Sequence, residues 1–174
     1  MDNISKSLLR QLKLKQRLTY PQVLINLEKE SILNHLKHIL NKNSLIGIYS
    51  AINNEYDLVA GLSEYKLALP RILNKNMMVF NEISYPLILN KYNILESSNL
   101  EICVPDVYII PLLAFNLSGY RIGYGGGYYD RYLNVNNGLK IGVAAEYMLE
   151  DFNWDKHDIK LDIIVTPSRI IYFI

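Results

Sequence analysis

DVYIIPLLAFNLSGYRIGYGGGYYDRYL, Asp106–Leu133, decides the fold. Its opening, Asp106–Ile110, reads as a strand apolar on both faces and stopped by Pro111, which suits the middle of a parallel sheet covered by helices. Gly119, Gly123, Gly125, Gly126 and Gly127 then fall within nine positions, and a helix begins near Gly127. Glycines let backbone N–H groups turn inward and approach an anion without a Cβ in the way. The helix adds its unpaired N-terminal N–H groups and the positive end of its dipole. Arg121 supplies a cationic fork suited to phosphate oxygens. Gly119–Arg131 therefore reads as a polyphosphate cradle.

Generic motifs do not account for this run. Tyr128 breaks the dinucleotide fingerprint after Gly123-x-Gly125-x-Gly127, and no Lys-Ser or Lys-Thr completes a P-loop. The competing reading is a tight connection whose glycines only turn the chain; Arg121, Asp130 and Arg131 close to the loop weigh against it. Asp130 has two readings. It either complements the helix dipole from the first turn or reaches a Mg²⁺ held between phosphates.

Outward from this stretch, Leu45–Tyr49, Lys66–Leu69, Met77–Phe80, Leu139–Ala144 and Leu161–Val165 read as further strands, with Pro70-Arg71 separating the second and third. Leu8, Leu9, Leu12 and Leu18 recur near helical spacing. Thr19-Tyr20-Pro21 interrupts them, with Thr19 suited to an N-cap. A second helix runs through Leu24, Leu27, Ile32, Leu36 and Ile39 to Asn41-Lys42-Asn43. Glu55–Tyr65 suits a short helix, and Asn81–Leu100 has little periodicity. Strands alternating with helices predict an α/β fold. The expected architecture is a single three-layer α/β/α domain over 1–174, Rossmann-like, with two N-terminal helices over 2–41 and a mostly parallel or mixed central sheet in a core over 44–174.

A chain of 174 residues is long enough to bury a core without disulfides or metals. Its net charge of +1 gives no long-range field to draw nucleic acid or an anionic membrane. The single cysteine, Cys103, forms no disulfide or zinc spacing and reads as an inert buried thiol in a reducing compartment. The first seventeen residues have no continuous apolar stretch, so neither a secretory signal nor a membrane span is expected. His35 and His38 read as surface positions, and His157-Asp158 by itself as a surface turn.

Gly119–Leu133, G-Y-R-I-G-Y-G-G-G-Y-Y-D-R-Y-L, closely resembles the signature of the 5-formyltetrahydrofolate cyclo-ligases, also called methenyltetrahydrofolate synthetases. Lys6-Ser-Leu-Leu-Arg10 with Arg17-Leu-Thr is similar to the family's opening helix. Ile46-Gly-Ile-Tyr49 with Asn54-Glu55, Leu67–Arg71, Pro105-Asp106, Ile141–Ala144, His157-Asp158 and Asp162 extend the match over nearly the whole chain. The resemblance implies that ATP and 5-formyltetrahydrofolate give 5,10-methenyltetrahydrofolate, ADP and phosphate, with Mg²⁺.

Carried over by position, Lys6, Ser7, Leu8, Leu9 and Arg10 would hold ATP, as would Arg121, Ile122, Gly123, Tyr124, Gly125, Gly126, Gly127, Tyr128 and Tyr129. Arg17 is a further candidate on that helix. Ser50, Glu55 and Tyr124–Tyr128 would touch the folate, Asp130 and Asp158 would serve the metal, and Lys6 and Arg121 would be catalytic. Phosphoryl transfer to the formyl oxygen needs positioning and charge neutralisation rather than a covalent nucleophile. Tyr124, Tyr128 and Tyr129 have an aromatic-recognition reading beside one of plain core packing.

The sequence departs from the family's pattern at three places. Asn116 stands where many members have Asp, Met148 where a glutamine is usual, and Ser97 where proline is common. From these we expect an amide that still serves its turn, a weaker polar contact to folate, and a looser loop. We expect a cytoplasmic monomer with no nucleic-acid or membrane partner. Two other classes stay open on the residues: a binding protein that has lost turnover, favoured by Met148, and a nucleic-acid-binding relative, disfavoured by the charge.

Overall fold

The structure, a computed structural model, describes residues 5–173. Helices α1 (Lys6–Leu18) and α2 (Gln22–Ile39) come first; the expectation for residues 2–4 lies outside the described residues. Then follow β1 (Leu45–Ile48), β2 (Lys66–Ile72), β3 (Met78–Glu82), β4 (Ile88–Leu89), β5 (Leu95–Glu96), β6 (Ile102–Cys103) and β7 (Val107–Pro111). The chain continues through β8 (Ala114–Phe115), β9 (Arg121–Ile122), α3 (Tyr128–Leu133), β10 (Leu139–Val143), β11 (Ile163–Val165) and β12 (Ile170–Tyr172).

Eight strands form one sheet in the order β12-β11-β10-β7-β1-β2-β3-β6. The five inner strands, β11, β10, β7, β1 and β2, pair in parallel, and the edges β12, β3 and β6 are antiparallel. The α/β architecture with a mixed, mostly parallel sheet is the one expected. Ile46, Ile48, Ile109, Ile110, Ile164 and Val165 are fully buried on the central strands. Tyr132 of α3 packs edge-on against Phe80 and Tyr108. No helix among the described residues is long and apolar enough to cross a membrane.

Several local expectations are corrected. Thr19 is the C-cap of α1 rather than an N-cap: its hydroxyl donates to the Lys15 carbonyl, and Pro21 takes the N-cap position of α2. Glu55–Tyr65 holds only a single 3₁₀ turn, Ala60–Leu62. Pro70-Arg71 does not break its strand. The pairing of β2 with β1 ends at Ala68, so Pro70 faces a neighbour only on the β3 side and its missing N–H leaves no ladder bond unmade. The poorly periodic Asn81–Leu100 contains the β4–β5 hairpin, whose two-residue strands are too short to show a period.

The strongest revision concerns Gly119. β8 and β9 form a hairpin ahead of the loop, and Gly119, at φ +90°, sits in its turn. Asn116 holds that turn as its amide was expected to: Oδ1 accepts from Ser118 N–H at 3.1 Å and Tyr120 N–H at 2.9 Å. Ser97 does not loosen its loop. It is fully buried, donates to the Glu82 carbonyl at 2.6 Å, and accepts from Ser84 N–H at 2.9 Å.

Candidate functional site

The sheet order reverses around β1: the chain proceeds from β1 to β2 on one side and later fills the other side with β7. In open α/β sheets such a reversal leaves a crevice at the carboxyl ends of the strands. A cleft of about 770 Å³ opens there. Tyr49 and Ser50 after β1, Pro70 and Ile72 of β2, and Pro111 of β7 line it.

Most of the residues proposed from the sequence converge on this cleft. Lys6, Arg10, Ser50, Glu55, Arg121–Tyr129, Asp130 and Asp158 all line it. Ser7, Leu8 and Leu9 do not: Ser7 and Leu8 are exposed, while Leu9 is buried in a small cluster with Ala114, Ile122 and Phe152. Arg17 and Met148 line a separate, much smaller inner cavity. Sequence reasoning missed Asp155 and the hairpin residues Asn90, Ile94 and Glu96, which also border the cleft. Asp155 had a faint signal in standing three residues before Asp158; a two-residue hairpin had none.

The glycine loop proper is Gly123–Gly127. Gly125 sits at φ +94°, and a Cβ there would lie 3.2 Å from the Arg10 guanidinium carbon. Arg10 Nε donates to the Gly123 carbonyl at 2.8 Å, so the cation and the bare backbone approach each other directly. Gly127, at φ +65°, starts α3, which has six residues. So short a helix contributes little dipole. A Cβ on Gly123 would meet nothing within 4 Å. The protein leaves that space open in the cleft that Arg10 and Lys6 also line, and a phosphate chain would require such room.

Arg121 is almost fully buried, and its fork is already engaged. Nη1 donates to the Ile159 carbonyl and Nη2 to Asp130 Oδ1, both at 2.9 Å. Asp130 Oδ1 also accepts from Ile159 N–H at 3.1 Å. The pair therefore pins the residue next to Asp158 against the start of α3. Asp130 is accordingly more than a complement to a helix dipole.

Lys6 Nζ bridges Asp155 Oδ2 at 2.6 Å and Asp158 Oδ2. Burial works against the ammonium, but its hydrogen bonds to these two carboxylates outweigh that and raise its pKa. Ligand atoms of Asp155, His157 and Asp158 lie within 4.8 Å of one another. The carboxylate oxygens of Asp155 and Asp158 are hard donors that suit Mg²⁺ and already attract a cation in Lys6; His157 would offer nitrogen, and Asp130 lies outside this group. The residues present fit the ion.

On the other side of the loop, Glu55 is buried. Its Oε1 accepts from Tyr124 Oη at 2.9 Å and lies 3.3 Å from Arg17 Nη1; Oε2 accepts from Ile52 N–H at 2.9 Å. Burial raises the carboxyl pKa, against the pull of Arg17, Ile52 N–H and Tyr124. Burial and the neighbouring Glu55 push the Tyr124 phenol up to about 12. Tyr129 is half-buried with its hydroxyl shielded from solvent, and it packs edge-on to Phe80, which favours its core-packing reading. Tyr128 lies under the Arg131 guanidinium at 5.2 Å. Met148, expected at a polar folate contact, is buried with Sδ 3.4 Å from Arg17 Nη2. Cys103 is half-buried at the sheet edge, and His157 is exposed.

A mixed, mostly parallel sheet with a glycine loop, cations and carboxylates at its topological reversal defines an α/β protein with a polar cleft at its strand ends. The family is narrower. The chain belongs to the 5-formyltetrahydrofolate cyclo-ligase family, whose family model matches residues 3–167.

Among relatives, a 5-formyltetrahydrofolate cyclo-ligase of Mycoplasma genitalium is 41% identical over 47% of this chain, which spans about half (53%) of that protein's length. The NMR structure of Aquifex aeolicus 5,10-methenyltetrahydrofolate synthetase is 31% identical, with a TM-score of 0.85 over 98% of this chain and 93% of that one. A 5,10-methenyltetrahydrofolate synthetase from Mycoplasma pneumoniae is 26% identical, with a TM-score of 0.77 over 94% and 99%.

Proposed function

We propose that the chain converts 5-formyltetrahydrofolate to 5,10-methenyltetrahydrofolate at the expense of ATP, releasing ADP and phosphate. The γ-phosphoryl passes to the formyl oxygen. N10 then attacks the formyl carbon, and phosphate departs carrying that oxygen as the ring closes. This reading assigns the phosphates to Lys6, Arg10 and the open backbone at Gly123–Gly127, and the folate to Ser50, Glu55 and Tyr124–Tyr128. Arg121 would act mainly by holding Asp130 and the 158–159 backbone in register. Asp155 and Asp158 would hold Mg²⁺, with Asp130 lining the same cleft, and the ion when bound supplies further charge neutralisation.

The observation that carries the proposal is the glycine loop itself. One edge touches Arg10 and the other touches Glu55 through Tyr124, so nucleotide and folate would meet across a single stretch of backbone. Ser7, Leu8 and Leu9 then serve by carrying Lys6 and Arg10 on α1. We expect a monomer acting in the cytoplasm without a nucleic-acid or membrane partner, and the near-neutral charge accords with the lack of a nucleic-acid partner.

The test is to incubate the protein with 5-formyltetrahydrofolate and Mg-ATP and follow the near-ultraviolet absorbance of the methenyl product. Growth that requires both ligands supports the reading. Binding of both without product would leave a binding protein in its place.

A further inference from the structure

Arg17 is the most deeply buried cation of α1, and the residues around it are not those of a phosphate site. Nη1 donates to Tyr124 Oη at 3.0 Å and faces Glu55 Oε1; Nη2 contacts the Leu112 carbonyl and Met148 Sδ. Its side chain and that of Glu55 are both more than nine-tenths buried. The turn that delivers Glu55 is itself built onto α1. Asn53 and Asn54 both adopt positive φ, and Asn54 Nδ2 donates to the Arg17 and Leu18 carbonyls at 3.3 and 3.2 Å, capping the helix end. The end of α1, the turn after β1 and the tip of the glycine loop are thus tied together at one carboxylate.

We infer that Arg17 is a positioning residue for the folate: it holds Glu55 as a carboxylate turned to the cleft and, through Tyr124 Oη, locks the glycine loop to that same group. This rests on the reading that Glu55 contacts the folate. Arg17 is the only formally charged group within hydrogen-bond reach of Glu55 among the described residues. The titratable groups facing Glu55 from other elements are the phenols of Tyr49, Tyr124 and Tyr129, none of which can replace the charge. Loss of an opposite charge at this range lets burial act unopposed and raises a carboxyl pKa by about one to three units. Glu55 would then keep its proton to higher pH, where it needs to be an acceptor.

Arg17→Met keeps the length of the side chain and removes the charge. We expect KM for 5-formyltetrahydrofolate to rise about tenfold, as for loss of one charge-assisted hydrogen bond, while KM for ATP stays within about twofold. The acid limb of kcat/KM for the folate should move up by about one to three pH units. Arg17→Lys restores charge without the fork, so it should return the limb towards the parent while leaving KM raised.

A ligand-free readout runs beside these: carbonyl-¹³C NMR titration of the Glu55 carboxyl, which should shift to higher pH in Arg17→Met and recover in Arg17→Lys. If the Met variant does not fold, Tyr124→Phe on the more exposed loop should move both readouts in the same direction by less. An unmoved Glu55 titration, equal rises in both KM values, or a rise confined to ATP would each overturn the inference. A parent protein without turnover would remove the folate reading instead, and the titration would still decide whether Arg17 sets the charge on Glu55.

Discussion

Helices α1 and α2 follow one another with three residues between them and bury opposite kinds of side chain. α2 follows its expected stripe only in its second half: Ile32 and Leu36 face the core with Ile25 and Leu33, while Leu24 and Leu27 are exposed. In α1 the leucines at 8, 12 and 18 are about half exposed, at 48%, 49% and 52%, while Lys13 and Arg17 are buried at 6% and 3%. Lys6, Arg10, Lys13 and Arg17 recur at spacings of four, three and four residues, which puts them on one face of a helix. Each reaches inward to a different segment: the 155–158 loop, the glycine loop, Tyr147 with Glu150, and Glu55. α2 is attached by apolar burial, and α1, apart from the buried Leu9, by directed polar contacts. The first kind of attachment builds the fold, and the second assembles the cleft.

The contrast can be broken most forcefully at α2. Leu36→Ala, at a fully buried site, should cost about 2–5 kcal/mol of stability. Chemical denaturation would read that loss, and the KM values of the surviving folded protein should be unchanged. On the site side, Arg121→Lys keeps the charge but loses the fork whose two nitrogens reach the Ile159 carbonyl and Asp130 separately. It should lower kcat/KM on the order of 10²-fold in steady-state assays, since a displaced electrostatic group costs about that much.

Arg10→Ala removes the cation beside Gly123 and should raise KM for ATP about tenfold, the scale of one charge-assisted hydrogen bond, with little change in the melting curve. Leu12→Ser on the exposed face of α1 should change stability by no more than about 0.5 kcal/mol and leave turnover intact. A large loss of stability from Leu12→Ser would mean that α1 is held by its leucines after all.

The same contrast explains what could be read from the sequence. The long apolar strands were legible: β7, β10 and β11 fall within a few residues of where Asp106–Ile110, Leu139–Ala144 and Leu161–Val165 put them. The glycine loop was legible as well, because residues with so little side chain are chosen for what the backbone must do. The orientation of α1 was not, since periodicity reports that a helix has two faces without saying which one is docked. Gly119 was grouped with the cradle because a hairpin with two-residue strands leaves no alternation to detect. Arg121 had the chemistry expected of it, but a linear pattern could not show that its fork was already satisfied by Asp130 and the Ile159 carbonyl. Asp155 shared Lys6 with Asp158 across about 150 residues of chain, a pairing that only the folded molecule brings together.

The way α1 is fastened also sets how the molecule would respond to its solution. Mobile ions compete with charge pairs that solvent can reach, and the Lys6 bridge to Asp155 is partly open to water. The apolar contacts of α2 and the sheet gain rather than lose from many salts. Rising ionic strength would therefore slacken the Lys6 side of the cleft while the core held firm. The Arg17–Glu55 contact, sealed from water, would be the last part of that helix to let go.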